Sequence, residues 1–421
     1  MGVDSKTSRM RTPSFTLQRI VLAAAAAAWL AGVSAPARAD VADDLLDKLH
    51  AKGILSDDEY RQLRDERRTE ASRSAQPAGG APLQNSGAAN SEATTVSGTA
   101  FIDLTHINQT NNGTKAASSG DGLDVKRGYL IIDHKFDNMW SANLTTDFNF
   151  VAADSETQLF VKKAYVQATV SDALAVRAGS ADMPWIPFAE GLYGYRYVEN
   201  TLIDRLKFGN SADWGVHTMG KLGPDGGVSY ALSAVNGNGY KNPTRSHHVD
   251  LEGRLAFVPI GGVTLAAGFY SGDLGKDVVG TATPVQHTAE RWNALAAYVN
   301  PLFRLGAEYF SANNWNQVTA VPEDKSDGYS YWGSYNLSSQ LAAFARYDSA
   351  KPKKDLTPAF EDNYYNVGLS YCVRKNVDIA LAYKHETVKN GSLASSNGTL
   401  TAGTTADGKY DEIGLWAQVK F

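Results

Sequence analysis

One cysteine, Cys372, stands in 421 residues, so the chain can form no disulfide within itself. A small exported domain held by cystine bridges is thereby excluded. A basic excess is also missing: 40 Lys and Arg stand against 45 Asp and Glu, a formal net charge of −5. That balance argues against a nucleic-acid partner. Beyond residue 33 no stretch is long and apolar enough to cross a bilayer as a helix. Any membrane crossing must therefore use strands. The mean hydropathy of −0.30 reads as soluble, yet a barrel whose polar lumen dilutes its lipid face gives the same value.

Catalytic constellations are lacking as well. No serine stands in a G-x-S-x-G elbow, and the eight histidines are scattered, so no nucleophile, base and orienter are set together. His247 and His248 adjoin but point apart on an extended chain, without the carboxylate and His spacing of a metal site. Cys372 reads as a small filler. No catalytic residue, metal or cofactor is expected.

What is present begins with an export signal. Lys6, Arg9, Arg11 and Arg19 precede the apolar run from Ile20 to Val33, and Ala37-Arg38-Ala39 follows. A basic start, a short apolar core and an A-x-A site make residues 1–39 a cleaved signal peptide, too short for a membrane anchor. Its five basic residues and Asp4 carry +4; removing that from −5 leaves the mature chain at −9.

Residues 40–70 read as a helical hairpin or coiled-coil segment. Leu45, Leu46 and Leu49 share a helical face, Gly53 stops it, and Ser56 with Glu59 opens a second helix carrying Tyr60 and Leu63. Such a hairpin is too small for its own core. Its apolar face implies either self-packing in an oligomer or docking to the cell wall or a periplasmic partner. Residues 71–94, rich in Ala, Ser, Gly, Asn and Pro, form a flexible linker.

From residue 95 to 421 the chain reads as strands. Trp140, Ala142, Leu144, Thr146, Phe148 and Phe150 alternate with Ser141, Asn143, Thr145, Asp147 and Asn149; the same rhythm runs through Val249 to Phe257 and Val377 to Lys384. A charged second face on strand after strand suits a barrel with water inside and lipid outside. Short turns fall near residues 137–138, 171–172, 223–227, 259–262, 300–301, 337–339 and 374–376, with longer polar loops between them. Seven turns and eight loops give a transmembrane antiparallel β-barrel of about sixteen strands, an all-β fold. Aromatic residues cluster at the strand ends, Trp140, Phe257, Tyr298, Phe303 and Tyr371 by the turns and Phe148, Phe269, Tyr309, Tyr347 and Tyr365 by the loops. They read as two interfacial girdles.

The last strand places Ile413, Leu415, Ala417, Val419 and Phe421 on one face. An apolar face ending on an aromatic carboxyl terminus resembles the final strand of bacterial outer-membrane barrels, in which the terminal Phe is an assembly signal. The resemblance implies the Gram-negative outer membrane as the address and its lipid as a partner.

The third long loop breaks the rhythm. From Asp182 to Asn200 it carries Trp185, Ile186, Phe188, Leu192 and three tyrosines, and it runs on through Asp204 and Arg205. A loop in water would not need these apolar groups. Folding inward would bury them and set Trp185, Glu190, Tyr195, Arg196, Glu199, Arg205 and Lys207 at a constriction across the lumen, where charge governs size and ion selectivity. The alternative is a loop packed on a neighbouring subunit.

Lys126-Arg127-Gly128-Tyr129-Leu130, Val161-Lys162-Lys163-Ala164-Tyr165-Val166 and Val176-Arg177-Ala178-Gly179 with Pro184 resemble the phosphate-selective porin O and P family. Tyr195-Arg196-Tyr197-Val198-Glu199 and Ala212-Asp213-Trp214-Gly215 are similar to it as well. The resemblance covers residues 95–220 and implies a homotrimeric sixteen-stranded channel with the third loop folded inside. It further implies passive diffusion of small hydrophilic solutes or ions, with an anion or phosphate preference. By alternation Arg127, Lys163, Arg177, Arg254, Arg304, Arg346 and Lys384 face the pore. Asp103, Asp133, Asp147, Asp250, Glu252, Glu308, Asp348 and Glu412 do so too, a mixed balance. A closed structural or adhesive barrel, or a barrel enzyme, is the alternative reading.

Overall fold

The structure is a computed structural model that describes residues 92–151, 156–223 and 226–421. The export signal, the hairpin expected at 40–70 and nearly all of the linker at 71–94 lie outside the described residues. Strands β1 (Ala93–Asn111), β2 (Thr114–Lys115), β3 (Gly120–Lys135), β4 (Trp140–Val151), β5 (Glu156–Ser171) and β6 (Leu174–Asp182) come first. Helices α1 (Ile186–Tyr193) and α2 (Leu202–Arg205) interrupt them. Next come β7 (Ala212–Leu222), β8 (Val228–Val235), β9 (Asp250–Phe257), β10 (Val263–Gly272), β11 (Ala289–Val299) and β12 (Phe303–Asn313). The chain ends with β13 (Lys325–Asn336), β14 (Leu341–Lys351), β15 (Glu361–Arg374), β16 (Val377–Lys389), β17 (Ser392–Ser395), β18 (Gly398–Thr401) and β19 (Gly408–Lys420).

Setting aside the loop strands β2, β17 and β18, sixteen strands form one antiparallel barrel, each paired with its neighbour along the chain. The barrel closes where β19 meets β1, from Thr99 opposite Lys420 to Thr110 opposite Lys409. Phe421 extends that seam: it exchanges both backbone hydrogen bonds with Gly98, at 2.8 and 3.0 Å. Its ring covers Gly98 so closely that an added Cβ would stand 2.3 Å away. All seven expected turns lie between strands, and closure leaves no unpaired edge.

Alternation sorts the side chains as a barrel requires. Leu144, Leu232, Leu255, Leu265, Trp292, Leu305, Tyr331, Val367, Leu381 and Ile413 are exposed on the outer face, while Asp147, His217, Glu252, Arg291, Asp348 and Lys384 are buried within. Two bulges break the alternation in an informative way. Arg127 pairs with Phe101 but Val125 with Ile102, so Lys126 is an extra residue. Likewise Lys163 pairs with Thr145 but Val161 with Thr146, making Lys162 extra. An inserted residue turns two successive side chains toward the same side. Lys126 and Lys162 thereby join Arg127 and Lys163 inside the lumen.

Candidate functional site in the lumen

Loop 3, residues 183–211, leaves β6 and returns to β7 through a narrow neck, where the Met183 N–H donates to the Ser211 carbonyl at 3.0 Å. Pro187 fits the first turn of α1, where its missing N–H costs nothing. Gly194, at φ 82°, ends that helix and donates its N–H to the Glu190 carbonyl. The apolar groups of the loop then bury inward: Ile186, Ala189, Tyr193, Leu202, Ile203, Leu206 and Phe208 pack with wall residues such as Phe310 and Trp332.

Two sets of polar contacts fasten the loop to one half of the wall. In the first, Trp185 donates its N–H to Glu252 at 3.0 Å and its indole N–H to Glu308 at 2.7 Å. Its ring lies over Gly268, where an added Cβ would stand 2.5 Å away. Arg254 donates to the Pro184 carbonyl at 3.0 Å and covers the Phe188 ring at 4.0 Å. Arg291 bridges Glu252, at 3.0 Å, to the Phe208 carbonyl.

In the second set, Arg205 sits among three carboxylates: Asp362 at 2.6 Å, Glu386 at 2.8 Å and Asp348 at 2.9 Å. Arg346 shares Asp348, at 2.6 Å, and donates to the Asn200 carbonyl. Lys384 joins Glu412 at 2.9 Å to Glu199 at 3.4 Å. Burial alone would raise the Glu199 carboxyl, but Lys384 and Lys126 outweigh it and hold the group well below the usual carboxylate range. Loop 8, residues 390–407, adds a clasp from the loop end. The Ser396 N–H donates to the Arg205 carbonyl at 2.9 Å and its hydroxyl to Glu199 at 2.7 Å, while Asn397 donates to Glu386 at 2.6 Å. Paired in this way, charges can stay buried in a place where a lone ion could not.

The opposite half of the wall, on β3 to β6, is left uncovered. Lys162 donates to the Tyr129 hydroxyl at 3.2 Å and lies 4.5 Å from that ring's centre. Lys126, at the margin of this half, meets loop 3 and donates to the Val198 carbonyl at 2.9 Å. Arg127 lies 3.7 Å from Asp147, Lys163 lies 3.0 Å from Asp182, and Arg177 donates to Gln167 at 2.7 Å. Facing them from the loop, Arg196 pairs with Glu190 and stands 3.6 Å from Asp204. Tyr240, from the fourth long loop, donates to Asp147 at 3.3 Å, and burial pushes its phenol up to about 12. It stays a neutral donor.

The residues expected at the constriction therefore divide. Glu190, Tyr195 and Arg196 keep partial exposure and Lys207 is exposed, whereas Trp185, Glu199 and Arg205 are fully buried. The last three fasten the loop and cannot meet a solute, a correction to their expected place. Arg346, expected to line the pore, points inward but lies under the loop for the same reason. Arg127, Lys163, Arg177, Arg254 and Arg304 all turn inward and are partly exposed. Arg304 borders a cavity of about 680 Å³ toward the turn end, with Tyr195, Ser370, Cys372, Asp378 and Gln418. Lys126 and Lys162 were missed by alternation; two adjacent basic residues in a strand, twice over, were the available signal. His248 also gains unforeseen company: its ring nitrogen and the carboxylates of Asp273 and Asp277 lie within 4.8 Å of one another at the loop end.

A family model described as Gram-negative porin matches residues 79–391. Among solved structures, an anion-selective porin from Comamonas acidovorans is similar with a TM-score of 0.57 at 13% identity, over 79% of this chain and 100% of that one. The outer membrane channel DcaP of Acinetobacter baumannii gives 0.55 at 13% identity, over 78% and 97%. Salmonella typhi OmpF, in complex with daunomycin, gives 0.55 at 12% identity, over 81% and 100%. At these identities the likeness shows the barrel fold alone. No curated relative matches the chain.

Proposed function

The chain belongs to the Gram-negative porin family and is a channel for passive diffusion, and on that premise we propose that its lumen favours small hydrophilic anions. One observation carries this reading. On the uncovered wall Lys162 and Arg177 bond to a phenol and an amide, with no carboxylate in an ion pair with either of them among the described residues. Several inward carboxylates, in contrast, are engaged by buried donors of the protein. Asp213 accepts N–H groups from Trp214, Gly237 and Gly239; Asp250 accepts the Tyr270 hydroxyl and two N–H groups; Glu308 accepts Trp185. Cationic donors are left for a passing solute while these carboxylate acceptors are engaged, and lining charge of this sort sets selectivity. Arg196, paired with Glu190 and Asp204, faces these cations from the loop. The zero-current potential across a planar bilayer in a KCl gradient tests the proposal. A chloride-selective sign is expected; a potassium-selective sign refutes it.

The resemblance to phosphate-selective O and P porins refines the proposal to phosphate, for which chloride conductance should fall as phosphate is added. It also supports a homotrimer, which should migrate as an oligomer before heating and as a monomer after. In this reading residues 1–39 are cleaved on export, Phe421 is presented for assembly, and residues 40–70 dock to the cell wall or a periplasmic partner. Diffusion of this kind requires no catalytic group or cofactor.

A further inference from the structure

Three cations on the uncovered side lie against aromatic rings. Near the loop end Lys241 lies 4.3 Å from the centre of Phe160 and 5.9 Å from that of Tyr240. At mid-depth Lys162 lies 4.5 Å from Tyr129. Toward the turn end Arg177 lies 4.6 Å from Tyr165. Phe160 and Tyr165 are on the same strand, β5, so these pairs span roughly 15 Å of its length. Phe160, Tyr129, Tyr165 and Tyr240 are all partly exposed. The rings of the covered half, Trp185 and Phe208 from loop 3 and Phe310 and Tyr364 from the wall, are fully buried where loop and wall meet and cannot touch a solute.

From this placement we infer that the uncovered wall is a track for aromatic carboxylates, which it passes in preference to aliphatic acids of equal charge and similar size. The inference rests on the anion preference proposed above and deepens it. A carboxylate alone would meet only the cations. A planar arene carrying a carboxylate would meet both members of each pair, its charge on the Lys or Arg and its ring against the flank of the neighbouring Tyr or Phe. Aromatic rings in offset or edge contact attract one another beyond the area they bury. Each such station is weak, and three in series suit a channel, because a solute must bind well enough to be drawn in and loosely enough to leave.

The test is a bi-ionic measurement on the full protein, with sodium benzoate on one side of a planar bilayer and sodium cyclohexanecarboxylate on the other. Wild type should favour benzoate about two- to fivefold, the factor an exposed ring contact confers. The double variant Phe160→Leu with Tyr165→Leu removes two of the three stations and should bring the ratio most of the way to one while chloride-over-potassium selectivity holds. Equal permeation of the two acids in wild type would overturn the inference, as would an undiminished ratio in the double variant. If that variant does not insert, Phe160→Leu alone carries the test, with a partial loss expected and an unchanged ratio refuting it. A wild-type channel that is potassium-selective in KCl would remove the anion reading and this inference together. Chloride selectivity without benzoate preference would remove this inference only.

Discussion

The half of the lumen wall beneath loop 3 and the half opposite draw on the same side chains and put them to different uses. Beneath the loop, Arg205, Arg346, Arg291 and Lys384 are buried and matched against Asp348, Asp362, Glu386, Glu252, Glu199 and Glu412. Each of these cations has a carboxylate at contact distance, and they act as mortar. Opposite, Lys162 and Arg177 rest on phenol and amide groups in partial contact with water. Their charge is left to act on whatever passes. A tally of lumen charges treats both halves alike; burial decides which of them a solute can feel.

The comparison breaks most severely at Arg205. In Arg205→Ala three buried carboxylates lose their shared cation, a loss of about 3–5 kcal/mol for a buried pair deprived of one partner. Loop 3 should come off the wall. The expected results are a lower unfolding midpoint and a larger single-channel conductance; an unchanged conductance would mean that Arg205 does not hold the loop. A step down in size is Gly268→Val, which places carbon against the Trp185 ring. Overpacking of this type costs about 1–3 kcal/mol and should loosen the α1 end of the loop while leaving the Arg205 cluster intact. Conductance midway between wild type and Arg205→Ala is expected, and a wild-type value would show that the loop tolerates the intrusion.

How much of this was legible beforehand follows from the two halves. The turns, the alternation and the closing strand could be read because each is local: Asp137-Asn138 or Arg374-Lys375-Asn376 marks a turn without reference to anything distant. Loop 3 stood out because Trp185, Ile186, Phe188 and Leu192 are out of place in water. Parity tells inside from outside, but it cannot tell that a loop covers Arg346 and leaves Arg177 open. Arg205 finds its partners 143 to 181 residues away, and no spacing rule reaches so far. Lys126 and Lys162 escaped for a different reason, since each is the additional residue of a bulge and strict alternation turns them to the lipid. The carboxylates beside His248 were hidden because Asp273 and Asp277 arrive from the next loop.

On the open side the effects read out first as selectivity. Arg196→Glu reverses one charge beside Glu190 and Asp204 at the rim of loop 3. The zero-current potential should shift toward potassium. No shift would place Arg196 outside the ion path.

The smallest change is the sharpest test of the difference between the halves. Lys162→Gln removes one ammonium that is in no ion pair among the described residues and gives up a ring contact worth about 0.5–1 kcal/mol at an exposed site. Its unfolding midpoint should hardly move. Lys384→Gln removes the same charge from the covered half and strands Glu199 and Glu412, so its midpoint should fall well below that of Lys162→Gln. Selectivity should respond in the opposite order, chloride preference dropping in Lys162→Gln and barely changing in Lys384→Gln while the loop stays seated. If both substitutions altered selectivity equally, the charge beneath loop 3 would be reaching the solute after all, and the division of the wall into a fastening half and a conducting half would fail.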